Sequence, residues 1–193
     1  MAAIESTMLE LGTQAPDFDL PTPDGRRVRL ADFVDADGIV IAIICNHCPF
    51  VQHIREGVAA FARDYADRNL AMVAINPNDF ESYSGDAPER MQEEIDRFGY
   101  IFPYVYDESQ EVAKAYRAAC TPEFYLFDGE RKLVYRGRFD AARPGAPTAV
   151  SGDDLRRATD AMLACEPPIA DQQPSIGCSV KWKPGNAPDY LNA

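Results

Sequence analysis

The sequence predicts an α/β fold: a central mixed sheet with helices on both faces, an N-terminal β-hairpin extension and a C-terminal extended tail. Three observations lead there. The run Ile39 to Ile44 is unbroken, apolar and mostly β-branched, the look of a strand buried on both faces. A segment of helical period follows at once, and strand-like and helix-like stretches then alternate. The periodic part ends on two strand-like runs about an Asp-Gly turn, then a last helix.

Phe18 to Leu20 and Arg26 to Leu30 flank Asp24-Gly25 and read as a small hairpin. After the central strand, Pro49 to Arg68 carries Val51, Ile54, Val58, Phe61, Ala62 and Tyr65 at helical spacing. Leu70 to Ile75 is a second buried strand, Ala87 to Phe98 a helix begun by Pro88, and Gln110 to Ala118 a shorter helix. The set Tyr100, Phe102, Tyr104, Tyr106 alternates at period two and reads as strand packing. Glu123 to Phe127 and Lys132 to Arg138 form the second hairpin about Asp128-Gly129, and Asp153 to Cys165 is the closing helix, with Cys165 a small core or boundary residue. Without repeats or a linker-like stretch, residues 1–193 are expected to form one domain, its core at about 12–165 and its tail at 166–193. The tail holds the single Trp and alternates Ile176, Cys178, Val180, Trp182, so it is expected to pack back onto the domain.

The chain carries 19 Lys and Arg against 31 Asp and Glu, a net charge of −12 that repels phosphate backbones and anionic headgroups. Nucleic acid and membrane surfaces are therefore excluded as expected partners. The longest apolar run, Gly38 to Cys45, is too short to span a bilayer, and the N-terminus reads as no signal peptide, so a cytoplasmic location is expected. Five cysteines is an odd number, and in a reducing compartment a disulfide among them is more readily catalytic than structural.

Strand carboxyl ends carry the ligand sites of such sheets, which points to Cys45-Asn46-His47-Cys48 and to Asn76-Pro77-Asn78-Asp79. The first is a C-x-x-C at a strand-to-helix junction. Free backbone N–H groups and the helix dipole lower a thiol's pKa there. Cys45 is expected to be exposed and nucleophilic, and Cys48, half buried one turn in, to resolve the mixed disulfide, so that a Cys48→Ser chain would trap partners. Asn76, Asn78 and Asp79 read first as turn and N-cap chemistry.

With Cys120-Thr121-Pro122-Glu123 leading into a strand, this arrangement resembles the three-layer thioredoxin-like fold. The resemblance implies that Pro122 is a cis-proline facing the cysteine pair and that Thr121 offers backbone to a bound peptide. The opening Gly12-Thr13-Gln14-Ala15-Pro16-Asp17-Phe18 is similar to the alkyl hydroperoxide reductase and thiol-specific antioxidant branch. CNHCPFV, INPND, CTPEF and SIGCSVKW together resemble peroxiredoxin-like thioredoxin-family proteins. The peroxidatic cysteine of that pattern falls on Cys48. Cys45 then stands at its Thr and Ile41 at its Pro, which implies weak peroxide turnover. His47, placed as in disulfide isomerases and oxidases, implies stabilisation of the Cys45 thiolate and a couple more oxidising than thioredoxin.

The function so implied is a thiol–disulfide oxidoreductase with catalytic Cys45 and Cys48, and with Asn46, His47, Thr121, Pro122 and Glu123 shaping the site. Its substrate would be a protein or small-molecule disulfide or thiol, with an unidentified redox partner, no cofactor and no metal. The alternatives are a thiol peroxidase in an antioxidant role and a metal-binding or partner-docking module whose cysteines never turn over. Cys120 reads as a buried inert thiol or an additional redox group. Cys178 reads as a tail anchor or an extra resolving thiol. Glu123 reads as a proton acceptor for Cys48 or a solvated strand end.

Overall fold

The computed structural model describes residues 3–191. Its centre is a five-stranded sheet ordered β6-β5-β4-β8-β9, from β4 (Gly38–Ile43), β5 (Leu70–Asn76), β6 (Tyr104–Tyr106), β8 (Glu123–Asp128) and β9 (Leu133–Gly137). β4, β5 and β6 run parallel, and β8 and β9 are antiparallel to them, the mixed pattern expected from βαβ units followed by a hairpin. Every residue of β4 is buried. Val40 and Ala42 pack with α1 (Pro49–Asp64) and α4 (Asp153–Leu163), while Ile39, Ile41 and Ile43 face the core shared with α3 (Glu111–Ala115) and the N-terminal segment. Helix α2 (Pro88–Phe98) buries Met91 in the first of these cores. The N-terminal hairpin is β2 (Asp19–Pro21) with β3 (Arg27–Arg29).

A second sheet, absent from the expectation, is antiparallel and ordered β1-β10-β7: β1 (Ala3–Glu5), β10 (Ile176–Ser179) and β7 (Cys120–Thr121). Strands this short carry almost no periodic signal. The tail therefore returns to the domain as the middle strand, with Cys178 and Val180 buried and Trp182 half-buried against the second core. Gly177 permits this docking, since a Cβ there would overlap the Thr121 carbonyl.

Two local readings are corrected. Only Tyr104–Tyr106 joins the sheet. Tyr100 and Phe102 stack on each other at 4.8 Å in the connection before it, where Pro103 has no N–H to give a ladder. Cys165 is neither core nor boundary but exposed, because α4 stops at Leu163 and Cys165 lies past the cap at a φ of 57°. No described helix is long and apolar enough to cross a membrane.

Candidate functional site

β4 delivers the chain to Cys45, Asn46 and His47 form the turn, and Cys48 is the N-cap of α1 with Pro49 as the first helical residue. The β4–β8 register sets Ile43 opposite Glu123, so Thr121 and Pro122 lie just beyond the strand end, beside the cysteines. The Thr121–Pro122 peptide is cis. Cys45 Sγ lies 3.4 Å from the Thr121 hydroxyl, and Cys48 Sγ 3.2 Å from the Thr121 carbonyl oxygen. β10 pairs Cys178 with Thr121, which brings its thiol into near-contact with Cys48. Cys45 and Cys48 are only 1% and 0% exposed, so the expected exposure of Cys45 is overturned: Thr121 and the segment holding Asp86 lie against it.

The electrostatics treat the two thiols differently. The Cys48 thiol is held down to about 4, first because the Cys45 thiol donates to it, then through Thr121, the Val51 N–H of the first helical turn, and Cys178, all against the cost of burial. The Thr121 carbonyl can only accept, so in that 3.2 Å contact the Cys48 S–H donates, which favours the protonated thiol and works against these donors. Cys45 moves the other way. Burial comes first, and its bond to Cys48 and the carboxylate of Asp86 add to it, so its thiol is pushed well up. Burial likewise raises Cys120, with the charge of Glu123 adding to it.

Asp86 is the residue that sequence reasoning missed. It is completely buried and accepts from Asn46 N (2.8 Å), His47 N (3.1 Å), Asn78 Nδ2 (2.8 Å) and His47 Nδ1 (2.5 Å). In sequence, Gly85-Asp86-Ala87-Pro88 looks like the polar lead-in to a helix, and nothing local ties it to the cysteines. Asn46 accepts from Tyr104 Oη at 2.9 Å and donates to Gly85 O at 3.1 Å, closing the turn onto the same segment. Asn76 and Asn78 do more than turn chemistry. Asn76 donates to the Asp86 carbonyl, and Asn78 both donates to the Asp86 carboxylate and accepts the Lys181 N–H. The Cys45, His47 and Asp86 ligand atoms lie within 4.8 Å of one another, but His47 and Asp86 are at hydrogen-bond distance, 2.5 Å. Two ligands of one tetrahedral zinc would sit about 3.3 Å apart.

The hydrogen bond to Asp86 raises the His47 pKa. Burial works against the Asp86 charge, yet the His47 and Asn78 donors hold its carboxyl below the usual range. The raised His47 pKa therefore contributes stability that is full below its unfolded value of about 6.5 and is lost as pH rises through the folded one. The lowered Asp86 pKa contributes stability that is full above about 3.9 and is lost as pH falls through the folded value. The pair is thus strongest between those limits. Wild type should exceed His47→Gln in unfolding free energy by more near about pH 5.5 than near about pH 9. An equal gap at both, read by urea titration, contradicts the pairing.

Glu123 is not a solvated strand end. It is fully buried, with Oε1 bound by Arg136 Nε (3.1 Å) and Nη2 (2.9 Å), and Oε2 by the Ala119 N–H (3.0 Å). Both oxygens are thus engaged, and burial raises its pKa. Arg136, equally buried, also donates to Thr7 Oγ1 at 2.6 Å. The sequence offered no sign of it, since an Arg at that place in a β-hairpin reads as an outward-facing residue.

The sequence profile of the AhpC/TSA family matches residues 11–136. A solved conserved protein from Geobacillus kaustophilus superposes with a TM-score of 0.93 at 52% identity, covering 96% of this chain and 98% of the other. The thiol-disulfide oxidoreductase ResA of Geobacillus thermodenitrificans is 26% identical over 129 residues, 67% of this chain and 70% of its own. A Mycobacterium tuberculosis protein named among the peroxiredoxins is 31% identical over 121 residues, 63% of this chain and 72% of its own. The fold is thioredoxin-like, as in more distant solved neighbours.

Proposed function

Because the chain belongs to the AhpC/TSA family, we propose that it is a thiol–disulfide oxidoreductase whose nucleophile is Cys48 rather than Cys45. The carrying observation is the place of Cys48 as the N-cap of α1, with the free N–H groups of the first turn beyond it; the Val51 N–H there is among the donors that hold its thiol down. The Cys48 thiolate attacks one sulfur of a disulfide and expels the other half as a thiolate. Cys48 is then neutral, and Cys45 loses the neighbouring charge that opposed its ionisation. Its sulfur, giving up its proton, attacks Cys48 and closes Cys45–Cys48, and the second thiolate is released and takes up a proton. His47, paired with Asp86, contributes positive charge toward Cys48. Asn46 and Thr121 position the pair, and Pro122 walls the site opposite it. Glu123 supports the β8 end through Arg136 and takes no part in proton transfer.

The substrate is a small-molecule or protein disulfide, and an unidentified thiol partner returns the electrons. An odd number of cysteines, five, suits work in the reducing cytoplasm. Two observations favour a second reading, thiol peroxidase. Both sulfurs are closed from solvent, which suits a small oxidant, and the Cys45 thiol donates to Cys48 where the peroxiredoxin pattern has a Thr hydroxyl. A thiol is the weaker donor, so peroxide turnover should be slow.

A thiol stabilised as its anion favours the reduced state. A glutathione redox titration of the Cys45–Cys48 couple should therefore give a potential above the roughly −270 mV of thioredoxin. A value at or below that mark overturns the reading.

A further inference from the structure

Cys48 has a second thiol against it besides Cys45. β10 is fastened on both edges, by Ala3↔Cys178 to β1 and by Cys178↔Thr121 to β7. Beyond it, Val180 N donates to Ala119 O at 3.0 Å, and Lys181 N to Asn78 Oδ1 at 2.8 Å. The close approach of Gly177 to the Thr121 carbonyl sets the strand flush on the backbone that carries the site. The outcome is that Cys178, buried, pairs in register with Thr121, whose carbonyl oxygen lies 3.2 Å from Cys48 Sγ, and its thiol comes into near-contact with Cys48.

We infer that Cys178 is a resolving thiol for Cys48, so that oxidation also produces a Cys48–Cys178 disulfide and ties β10 to the start of α1. The inference rests on the reading of Cys48 as nucleophile. With a small disulfide R–S–S–R, the Cys48 thiolate forms Cys48–S–S–R and expels R–S⁻. The Cys178 sulfur, giving up its proton, then attacks the Cys48 sulfur and expels the second R–S⁻, which takes up a proton. One external disulfide becomes two thiols, and two protein thiols become one disulfide.

The surroundings let Cys178 compete with Cys45 in that second step. Burial raises the Cys178 thiol to about 11, its bond to the Cys48 thiolate adds to this, and Lys181 pulls it back down. When Cys48 enters a mixed disulfide, its part of the penalty vanishes and the Lys181 cation stays. Cys45 is faced instead by the Asp86 carboxylate, which goes on opposing its ionisation. Cys120 is opposed by burial and by the negative charge of Glu123, which together outweigh the help of the Arg136 cation.

The test incubates wild type, Cys45→Ser, Cys45→Ala and the double variant Cys45→Ser/Cys178→Ser with oxidised glutathione, quenches with acid and maps disulfides by peptide mass spectrometry. The Cys45→Ser chain should carry the Cys48–Cys178 link in at least half its molecules and have lost its glutathione, while the double variant retains glutathione on Cys48. Glutathione kept on Cys48 of both single variants, unlinked to Cys178, overturns the inference and leaves Cys48 as nucleophile. Failure of Cys48 to react in every chain overturns both. Should neither single variant fold, wild type quenched at early times decides: a Cys48–Cys178 peptide pair supports the inference, and Cys45–Cys48 alone overturns it.

Discussion

Cys48→Ser should abolish disulfide exchange, lowering the rate on the order of a thousandfold or more, because an alcohol in that place is neither ionised nor comparably nucleophilic. Cys45→Ser should keep the first step. It removes the thiol that contributes most to holding Cys48 ionised, so that step should slow, yet Thr121, the Val51 N–H and Cys178 remain around the sulfur. The trapping variant is therefore one that keeps Cys48 and lacks its resolving thiols, the reverse of the Cys48→Ser trap expected from spacing alone. Insulin-disulfide reduction and single-turnover reaction with oxidised glutathione, run on both variants, read this directly. A Cys48→Ser chain with substantial first-step reactivity would show that Cys45 is the attacking sulfur.

Arg136→Met should cost about 3–5 kcal/mol of stability, the largest loss expected away from the cysteines. It strands the fully buried Glu123 carboxylate without its partner. It also removes the bond to Thr7 and the guanidinium placed 5.5 Å from the Tyr125 ring centre. Glu123 already has a raised pKa through burial, and loss of the cation raises it further. A carboxylic acid whose folded pKa exceeds its unfolded one, about 4.3, loses stability as pH rises through the folded value. The variant should accordingly recover part of the deficit as pH is lowered toward about 5, and Arg136→Met/Glu123→Gln should recover part of it at neutral pH. Urea unfolding measures both. A single-variant cost below about 1 kcal/mol would mean that the buried pair is not formed.

These two predictions mark where sequence reading succeeded and where it stopped. Ile39 to Ile44, the Val51–Tyr65 helical stripe and the Asp128-Gly129 hairpin are local patterns, and local patterns are what a sequence displays. The C-x-x-C was legible for the same reason, since its spacing and its strand-to-helix setting lie within a few residues. The roles of its two cysteines depend on neighbours that arrive from elsewhere. Asp86 comes from the segment after β5, Thr121 from β7 and Cys178 from β10; the sheet registers bring the last two to the α1 terminus, and hydrogen bonds from Asn46 and His47 hold the first there. A dipole argument applied to a bare helix start favours whichever thiol is exposed. Here both are buried, and the choice passes to specific donors and to the carboxylate beside Cys45. The tail behaved in between: its period-two alternation was visible, but its position as the central strand of a second sheet was not.

The most direct test of the account is the pH dependence of alkylation at Cys45 and Cys48, followed residue by residue with iodoacetamide and mass spectrometry. Cys48 should react at a rate nearly constant from neutral pH down to about pH 5, well below the ~8.5 of a free thiol, while Cys45 should stay slow until strongly alkaline pH. Faster low-pH labelling of Cys45 than of Cys48 would contradict the assignment of Cys48 as the thiolate.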